Sequence, residues 1–168
     1  NTIIPVVEVE GLKFQYNSTF SLDGLSFSIE ENSVYGLVGN NGAGKTTLLR
    51  LLVGLLKPVS GTIKLFGEKL TRKRDQLWRI RQRIGFLFQN PDDQLFAPTI
   101  FEDVSFGARN MGLSENEVEK RSKWALEAVG LWEYKDHSPF HLSWGQKKRA
   151  CLAGLLVMRP QLLILDEP

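Results

Sequence analysis

Apolar and polar positions alternate in short blocks at the start of the chain. Val6 to Val9, Leu12 to Tyr16 and Leu25 to Ile29 carry this period-two pattern and are separated by Gly, Asn and Ser, which predicts three short β-strands. Val34-Tyr35-Gly36-Leu37-Val38 is a nearly continuous apolar run, the pattern of a strand buried on both faces. After a glycine-rich turn the period lengthens. Leu48, Leu49, Leu51, Leu52, Leu55 and Leu56 recur at helical spacing, which predicts a helix over Thr46 to Leu56 closed by Pro58. Thr62 to Phe66 and Ile84 to Phe88 return to strand patterns.

The middle of the chain changes character. Ser114-Glu115-Asn116-Glu117 matches a capping box, and the helix it opens is expected to run to Val129 and stop at Gly130. Ser143 starts a second helix that ends before Pro160. Two helices with no strand between them predict a helical insert, roughly Phe96 to His141, in an otherwise alternating β/α chain. Leu162-Leu163-Ile164-Leu165 reads as one more buried strand. No internal repeat interrupts this order.

Composition narrows the class. The chain has 168 residues, which suits one domain or a large piece of one. Hydrophobic residues at 42% and charged residues at 24% exclude intrinsic disorder. With 21 Lys+Arg against 19 Asp+Glu the net charge is +2, so the whole-chain field does not draw in nucleic acid. One cysteine, Cys151, excludes a disulfide framework and a Cys-only zinc site and fits a reducing compartment. The longest uncharged apolar run, Ala150 to Met158, falls far short of the roughly 20 residues a bilayer requires. No signal-peptide pattern stands at the start. With no initiator Met, and with an end directly after an apolar run, both termini read as cut.

The chemistry concentrates in the glycine-rich turn. Gly39-Asn40-Asn41-Gly42-Ala43-Gly44-Lys45-Thr46 fits GxxxxGK[ST], with an apolar run before it and a leucine-rich helix after it. Glycines let successive backbone N–H groups converge on a phosphate, and the positive end of the following helix adds to that field. Lys45 is placed to reach β- and γ-phosphates, the Thr46 hydroxyl to ligate Mg²⁺, and Thr47 to complete the phosphate-binding set. Further on, the apolar run Leu162 to Leu165 ends in Asp166-Glu167. A carboxylate there can hold Mg²⁺ through water, and a second can orient or deprotonate an attacking water.

With those elements in hand, the chain resembles the ATP-binding subunits of ABC transporters. Leu142-Ser143-Trp144-Gly145-Gln146 looks like the family signature LSGGQ, with Trp at the first Gly. Gln89, in Gly85-Phe86-Leu87-Phe88-Gln89-Asn90-Pro91, matches the family's Q-loop, and Tyr16 stands where an aromatic stacks on adenine. Gln89-Asn90-Pro91-Asp92-Asp93-Gln94-Leu95-Phe96, with Thr99 to Gly107 and Gln146-Lys147-Lys148-Arg149-Ala150, is similar to energy-coupling factor ATPases, which serve importers of cobalt, nickel and vitamins. The resemblance implies an α/β P-loop NTPase core with an N-terminal antiparallel β subdomain and a helical insert. It implies one ATP-binding domain over 1–168, cut after the Asp-Glu pair, with a helical subdomain at about 96–141 and a signature helix at 143–159.

The roles that follow are implied by the family. Tyr16 would stack on the purine, an interaction worth ~1–3 kcal/mol per base in single-strand binders. Gln89 would contact Mg²⁺ and the attacking water, Asp166 would hold the metal, and Glu167 would polarise the water. Ser143, Gly145 and Gln146 would face the γ-phosphate held by a second ATP-binding subunit, identical or not. The other expected partners are a transmembrane coupling subunit and a substrate-binding membrane subunit, at the cytoplasmic face of the membrane, with no nucleic acid. Trp144 leaves two outcomes open: the indole packs aside, or the composite site it completes is slow or dead. The family's D-loop, switch histidine and a further strand are absent after Glu167, so the isolated chain is expected to be unstable and poorly active. Other readings are the ATPase of a different ABC transporter and a non-catalytic ATP-dependent dimerisation module. A nucleic-acid-directed ABC protein would need a second cassette or a basic arm, and neither is visible.

Two features lie outside these roles. Lys69 to Arg83 is strongly basic and reads as a solvated helix or loop, or as a contact for the membrane subunit or anionic lipid head groups. His137 and His141 flank Pro139 without a matching ligand cluster and read as loop residues.

Overall fold

The computed structural model describes residues 4–17 and 19–167, apart from the side chains of 19–21. It divides into two compact units, Asn1–Gln82 and Arg83–Pro168.

An antiparallel sheet organises the first unit. Strand β1 (Val7–Tyr16) pairs on one side with β2 (Thr19–Ile29) and on the other with β3 (Ser60–Leu65), and the two-residue β4 (Glu68–Lys69) extends β3 in the order β2-β1-β3-β4. The two strands expected over Val6 to Val9 and Leu12 to Tyr16 are therefore one. Gly11 is not a separator. It adopts φ 55°, its N–H donates to the Ser26 hydroxyl at 2.8 Å, and the β1–β2 register shifts between Val9 and Leu12. Val9 and Leu12 have odd spacing and would face opposite sides of a regular strand. The bulge restores the phase, so Val7, Val9, Leu12 and Phe14 are all buried. Likewise the predicted Leu25 to Ile29 strand is the end of the longer β2.

Helix α1 (Lys45–Leu52) follows the glycine-rich turn. It stops four residues before the expected Leu56, because Gly54 takes φ 69°. The Gly54 N–H donates to the Leu51 carbonyl at 3.0 Å and the Leu55 N–H to the Arg50 carbonyl at 2.9 Å. That pair of bonds is a Schellman stop, satisfying carbonyls that further helix would have used. Helix α2 (Arg74–Arg81) forms the later part of the basic stretch and buries Ile80.

The apolar run Val34 to Val38 departs from expectation. No strand is assigned there, and Val34, Tyr35, Leu37 and Val38 are exposed. Strand formation needs a hydrogen-bonded neighbour, and among the described residues no strand pairs with this run. An apolar pattern supplies the tendency to be buried but not the ladder.

In the second unit, β5 (Ile84–Leu87) and β6 (Leu162–Leu165) pair in parallel, Ile84 opposite Leu162 through Leu87 opposite Leu165. Three helices follow β5: α3 (Ile100–Asn110), α4 (Glu115–Ala128) and α5 (Trp144–Leu156). Only one-turn helices separate α4 from α5, so no strand intervenes, as the helical-insert pattern predicted. Leu87, Ile100, Val104, Ala108, Val118, Leu126, Leu131 and Ala153 share one core. Each large aliphatic there contributes about 1.5–3 kcal/mol by leaving water. Ile164 is buried in β6, but Leu163 and Leu165 are exposed, so the strand expected to be buried hides only one face.

The capping chemistry also shifts. Ser114 accepts from the Glu117 N–H at 3.4 Å, but the Glu117 carboxylate does not reach back. It binds the Arg121 guanidinium at 2.6 Å, which holds its carboxyl below the usual range. The reciprocal boxes are Thr99 with Glu102 at α3 and Ser143 with Gln146 at α5. Gly130 ends α4 in the left-handed region at φ 69°, where it was expected.

Gly61 sits at φ 93°, and a Cβ there would lie 2.5 Å from the Gly11 carbonyl oxygen and 2.6 Å from the Leu12 Cα. Gly61→Ala is expected to lower the unfolding free energy by about 2 kcal/mol or more, read by urea denaturation, whereas Gly112→Ala, strained but in open space, costs about 1 kcal/mol.

Candidate functional site

The turn before α1 is built by its glycines. Gly42 and Gly44 lie at φ 82° and 91°, where an L side chain costs roughly 1–2 kcal/mol. A Cβ on Gly39 would press to 3.2 Å from the Ala43 Cβ, so the ends of the turn close tightly. The Ala43 N–H donates to the Asn40 carbonyl at 3.0 Å. Gly44, the residue preceding α1, brings no side-chain cap, and the first turn of the helix has no acidic residue. Its positive end is therefore left open to an anion. The Lys45 ammonium donates to the carbonyls of Gly39 at 2.5 Å and Asn40 at 3.0 Å, which holds it across the turn. Asn41 stands exposed at the tip and Thr46 is half-buried in the first turn of α1.

Tyr16 joins this group. It ends β1, and the buried Thr47 donates a hydrogen bond to its hydroxyl at 3.5 Å. Phe14 supports the ring edge-on, with centroids 4.8 Å apart at 86°. The ring remains 46% exposed, enough to offer a face to a planar ligand.

The second unit gathers the other candidates. Gln89 follows β5, and its amide donates to the Glu167 carboxylate at 2.8 Å. Asp166 is only 5% exposed; its N–H donates to the Leu87 carbonyl at 3.0 Å, continuing the β5–β6 ladder by one step. Glu167 adopts φ 51°, a costly conformation for a non-glycine residue. The Lys148 ammonium of α5 donates to the Glu167 carbonyl. At the start of α5, Ser143 accepts from the Gln146 N–H at 3.3 Å and its own N–H donates to the Gln146 side-chain oxygen at 2.9 Å. Trp144 occupies the first helical position with 54% of its surface exposed and leaves that box intact. A Cβ on Gly145 would meet nothing within 4 Å, so packing within the chain does not require this glycine.

Tyr16, Gly39 to Thr47 and Lys45 thus form one group in the first unit, and Gln89, Asp166 and Glu167 another in the second. Two lysines of the signature stretch have contacts that the sequence does not indicate. Lys148 holds the Glu167 backbone, and Lys147 pairs with Asp92 at 2.7 Å, tying α5 to the turn after Gln89. Their partners are 19 and 55 residues away, beyond any local spacing rule. His137 packs edge-on against Tyr134 at 5.4 Å.

A model of the ABC transporter family matches residues 22–168. The chain belongs to the ABC transporter family. It is 49% identical over 164 residues to the energy-coupling factor transporter ATP-binding protein EcfA of Methanosphaera stadtmanae, a match over 97% of this chain and 59% of that protein. The protein of the same name from Carboxydothermus hydrogenoformans is 47% identical over 163 residues, covering 96% of this chain and 60% of the relative. Among solved structures, cbiO1 from Clostridium perfringens, described as part of the ABC transporter complex cbiONQ, superposes with a TM-score of 0.89 at 43% identity, over 98% of this chain and 66% of that one. This ABC chain therefore spans about three fifths of the length of these curated relatives, and within the family its likeness is to ATP-binding proteins of energy-coupling factor transporters. Its fold is the α/β fold of ABC ATPase subunits, with an antiparallel β-sheet and added helices.

Cys151 lies inside the α5 core, where burial first and the Asp103 carboxylate second push its thiol up to about 12. It is expected to resist iodoacetamide at pH 8 in the folded protein. The rate should lie roughly 1000-fold below that of the unfolded chain, in line with the lost thiolate population, as read by mass spectrometry with and without urea.

Proposed function

We propose that this protein binds and hydrolyses ATP as the nucleotide-binding subunit of an energy-coupling factor importer for a transition metal ion such as cobalt or nickel, or for a vitamin. The observation that carries the reading is the turn Gly39 to Gly44, which opens α1 with two left-handed glycines, an uncapped positive helix end and Lys45 across it. Backbone N–H groups and Lys45 take the phosphates, and Tyr16 takes the adenine on its open face.

The donors suit Mg²⁺. Thr46 offers a hydroxyl oxygen, Gln89 an amide oxygen and Asp166 a carboxylate, each of the hard-oxygen type that Mg²⁺ accepts. Among the described residues no cluster of three His, Cys, Asp or Glu side chains is available. Bound Mg²⁺ would neutralise charge developing on the β- and γ-phosphates. Glu167 accepts a proton from the attacking water or orients it, and Gln89, hydrogen-bonded to Glu167, fixes the direction of that carboxylate. Most of the rate comes from positioning and fixed charge rather than covalent chemistry.

In this reading the protein is peripheral to the cytoplasmic face of the membrane. It works with a second ATP-binding subunit, a transmembrane coupling subunit and a membrane subunit that chooses the cargo. ATP couples to transport by favouring a closed subunit pair, to the extent that it binds that state more tightly. Ser143, Gly145 and Gln146 are the residues offered to the partner's γ-phosphate. The open space beside Gly145 supports that role.

The test is Mg-ATP binding by calorimetry, with phosphate release by the assembled transporter. Lys45→Ala is expected to weaken ATP binding at least tenfold. Glu167→Gln is expected to keep binding, lower turnover at least 100-fold and trap an ATP-bound dimer. Normal turnover in the Glu167→Gln variant overturns the assigned role. Because Trp144 leaves the Ser143–Gln146 box intact, Trp144→Gly should change turnover by less than threefold; a larger rise would mean that the indole obstructs the composite site.

A further inference from the structure

Helix α2 and the turn before it form a surface that none of the nucleotide chemistry uses. Residues 69–83 hold seven basic side chains and one acid, Asp75, while the whole chain is only +2, so the remainder is net negative. Four of these charges are displayed rather than spent. Lys69, Arg72, Lys73 and Arg74 are exposed and have no carboxylate partner among the described residues. The other three are engaged: Arg79 pairs with Glu68 at 2.6 Å, the Arg81 guanidinium donates to the Val53 carbonyl at 3.0 Å, and that of Arg83 donates to the Gln161 side-chain oxygen at 2.7 Å. Leu77 and Ile80 turn inward, and a Cβ on Gly54 would meet the Leu77 side chain at 2.6 Å, which pins the inner face of α2 to the end of α1. The outer face is thereby held outward on a rigid element.

In the middle of that face stands Trp78, 67% exposed, lining a shallow cavity of about 490 Å³ with Arg74, Asp75 and Arg79. A large indole left in water among guanidinium groups is a cost to the isolated molecule. The combination has one physical counterpart that satisfies all of it. An anionic lipid surface attracts the cations through its phosphates, and its headgroup boundary is the environment in which an indole, apolar in body and polar at its N–H, is most stable. A nucleic acid would take the cations but wants several aromatics or a groove-entering element, and α2 has a single Trp.

We infer that the α2 face, with Arg72, Lys73, Arg74 and Trp78 at its centre, docks directly on anionic phospholipid headgroups. The guanidinium and ammonium groups meet lipid phosphates, and Trp78 settles at the level of the headgroups. This contact is separate from the nucleotide site and would hold the protein at the bilayer beside whatever membrane subunit it serves. It does not depend on the ATPase reading, so vesicle binding and ATP turnover can fail independently.

The experiment is co-sedimentation of the protein with vesicles of phosphatidylcholine alone and with phosphatidylglycerol added. The expected result is binding to the anionic vesicles only, weakening steeply with salt. Each basic side chain is expected to contribute about fivefold, so R72Q/K73Q/R74Q should bind roughly 100-fold more weakly. Trp78→Ala should weaken binding about tenfold, while Trp124→Ala, exposed elsewhere, should not. Brominated lipid should quench less fluorescence in Trp78→Phe than in the parent. Unfolding curves matching the parent, and unchanged Mg-ATP binding, establish that the variants are intact. Equal binding to neutral vesicles, or anionic binding that survives the triple substitution, overturns the inference. So does retention on DNA or on an acidic peptide with none on vesicles.

Discussion

Close packing of α5 against α3 is the constraint on which the second unit depends. The inner side of α5 carries Ala150, Cys151, Ala153 and Gly154, all small. A Cβ on Gly154 would stand at ordinary contact distance, 3.8 Å, from the Val104 Cα of α3, and one on Gly107 would fall 2.6 Å from the sulfur of Met158, just past the end of α5, so the two elements lie in contact along their length. The helices can approach this closely only because the side chains are short. Once α5 lies there, its beginning and its end are both committed. The beginning presents Ser143, Trp144 and Gly145, while the chain beyond it turns into β6 and delivers Asp166 and Glu167 beside Gln89.

The first unit solves a different problem. Its sheet must carry Tyr16 at the end of β1 to the first turn of α1, where Thr47 meets it. The bulge at Gly11 keeps the apolar side chains on one face through a strand whose spacing slips, and the close pass of Gly61 over Gly11 locks β1 to β3. Glycine thus does two unrelated jobs in one unit. At Gly61 and Gly11 it permits chain-to-chain contact, and at Gly42 and Gly44 it supplies the left-handed backbone that the turn into α1 requires.

The charge distribution adds a third theme. Residues 69–83 hold seven basic side chains against one acid, a larger positive excess than the whole chain's +2, and Lys69, Arg72, Lys73 and Arg74 there are exposed, whereas the lysines of α5 are used internally on Asp92 and on the Glu167 backbone. Like residue types therefore serve opposite ends: one group orders the polar segment around Gln89 and Glu167, and the other is presented outward. Neither is apparent from a net charge of +2.

Local chemistry was enough to read the glycine-rich turn that opens α1, the stop of α4 at Gly130, the strand of Leu162 to Leu165 and the run of helices with no strand between α4 and α5, because each follows from the spacing of neighbouring residues. Helix α3 was also within reach, since Thr99 and Glu102 spell a capping box, and α1 could have been ended at Gly54 by the same rule that ended α4. What only tertiary structure decided are the features whose partners are distant. Val34 to Val38 has the composition of a buried strand but no neighbour to pair with among the described residues. Glu117 chose Arg121 over its own helix cap, and Glu167 is held by Gln89 and Lys148 from remote parts of the chain. A sequence encodes the propensity of a segment within a few residues, but a ladder, an ion pair or a covered face exists only when folding supplies its other half.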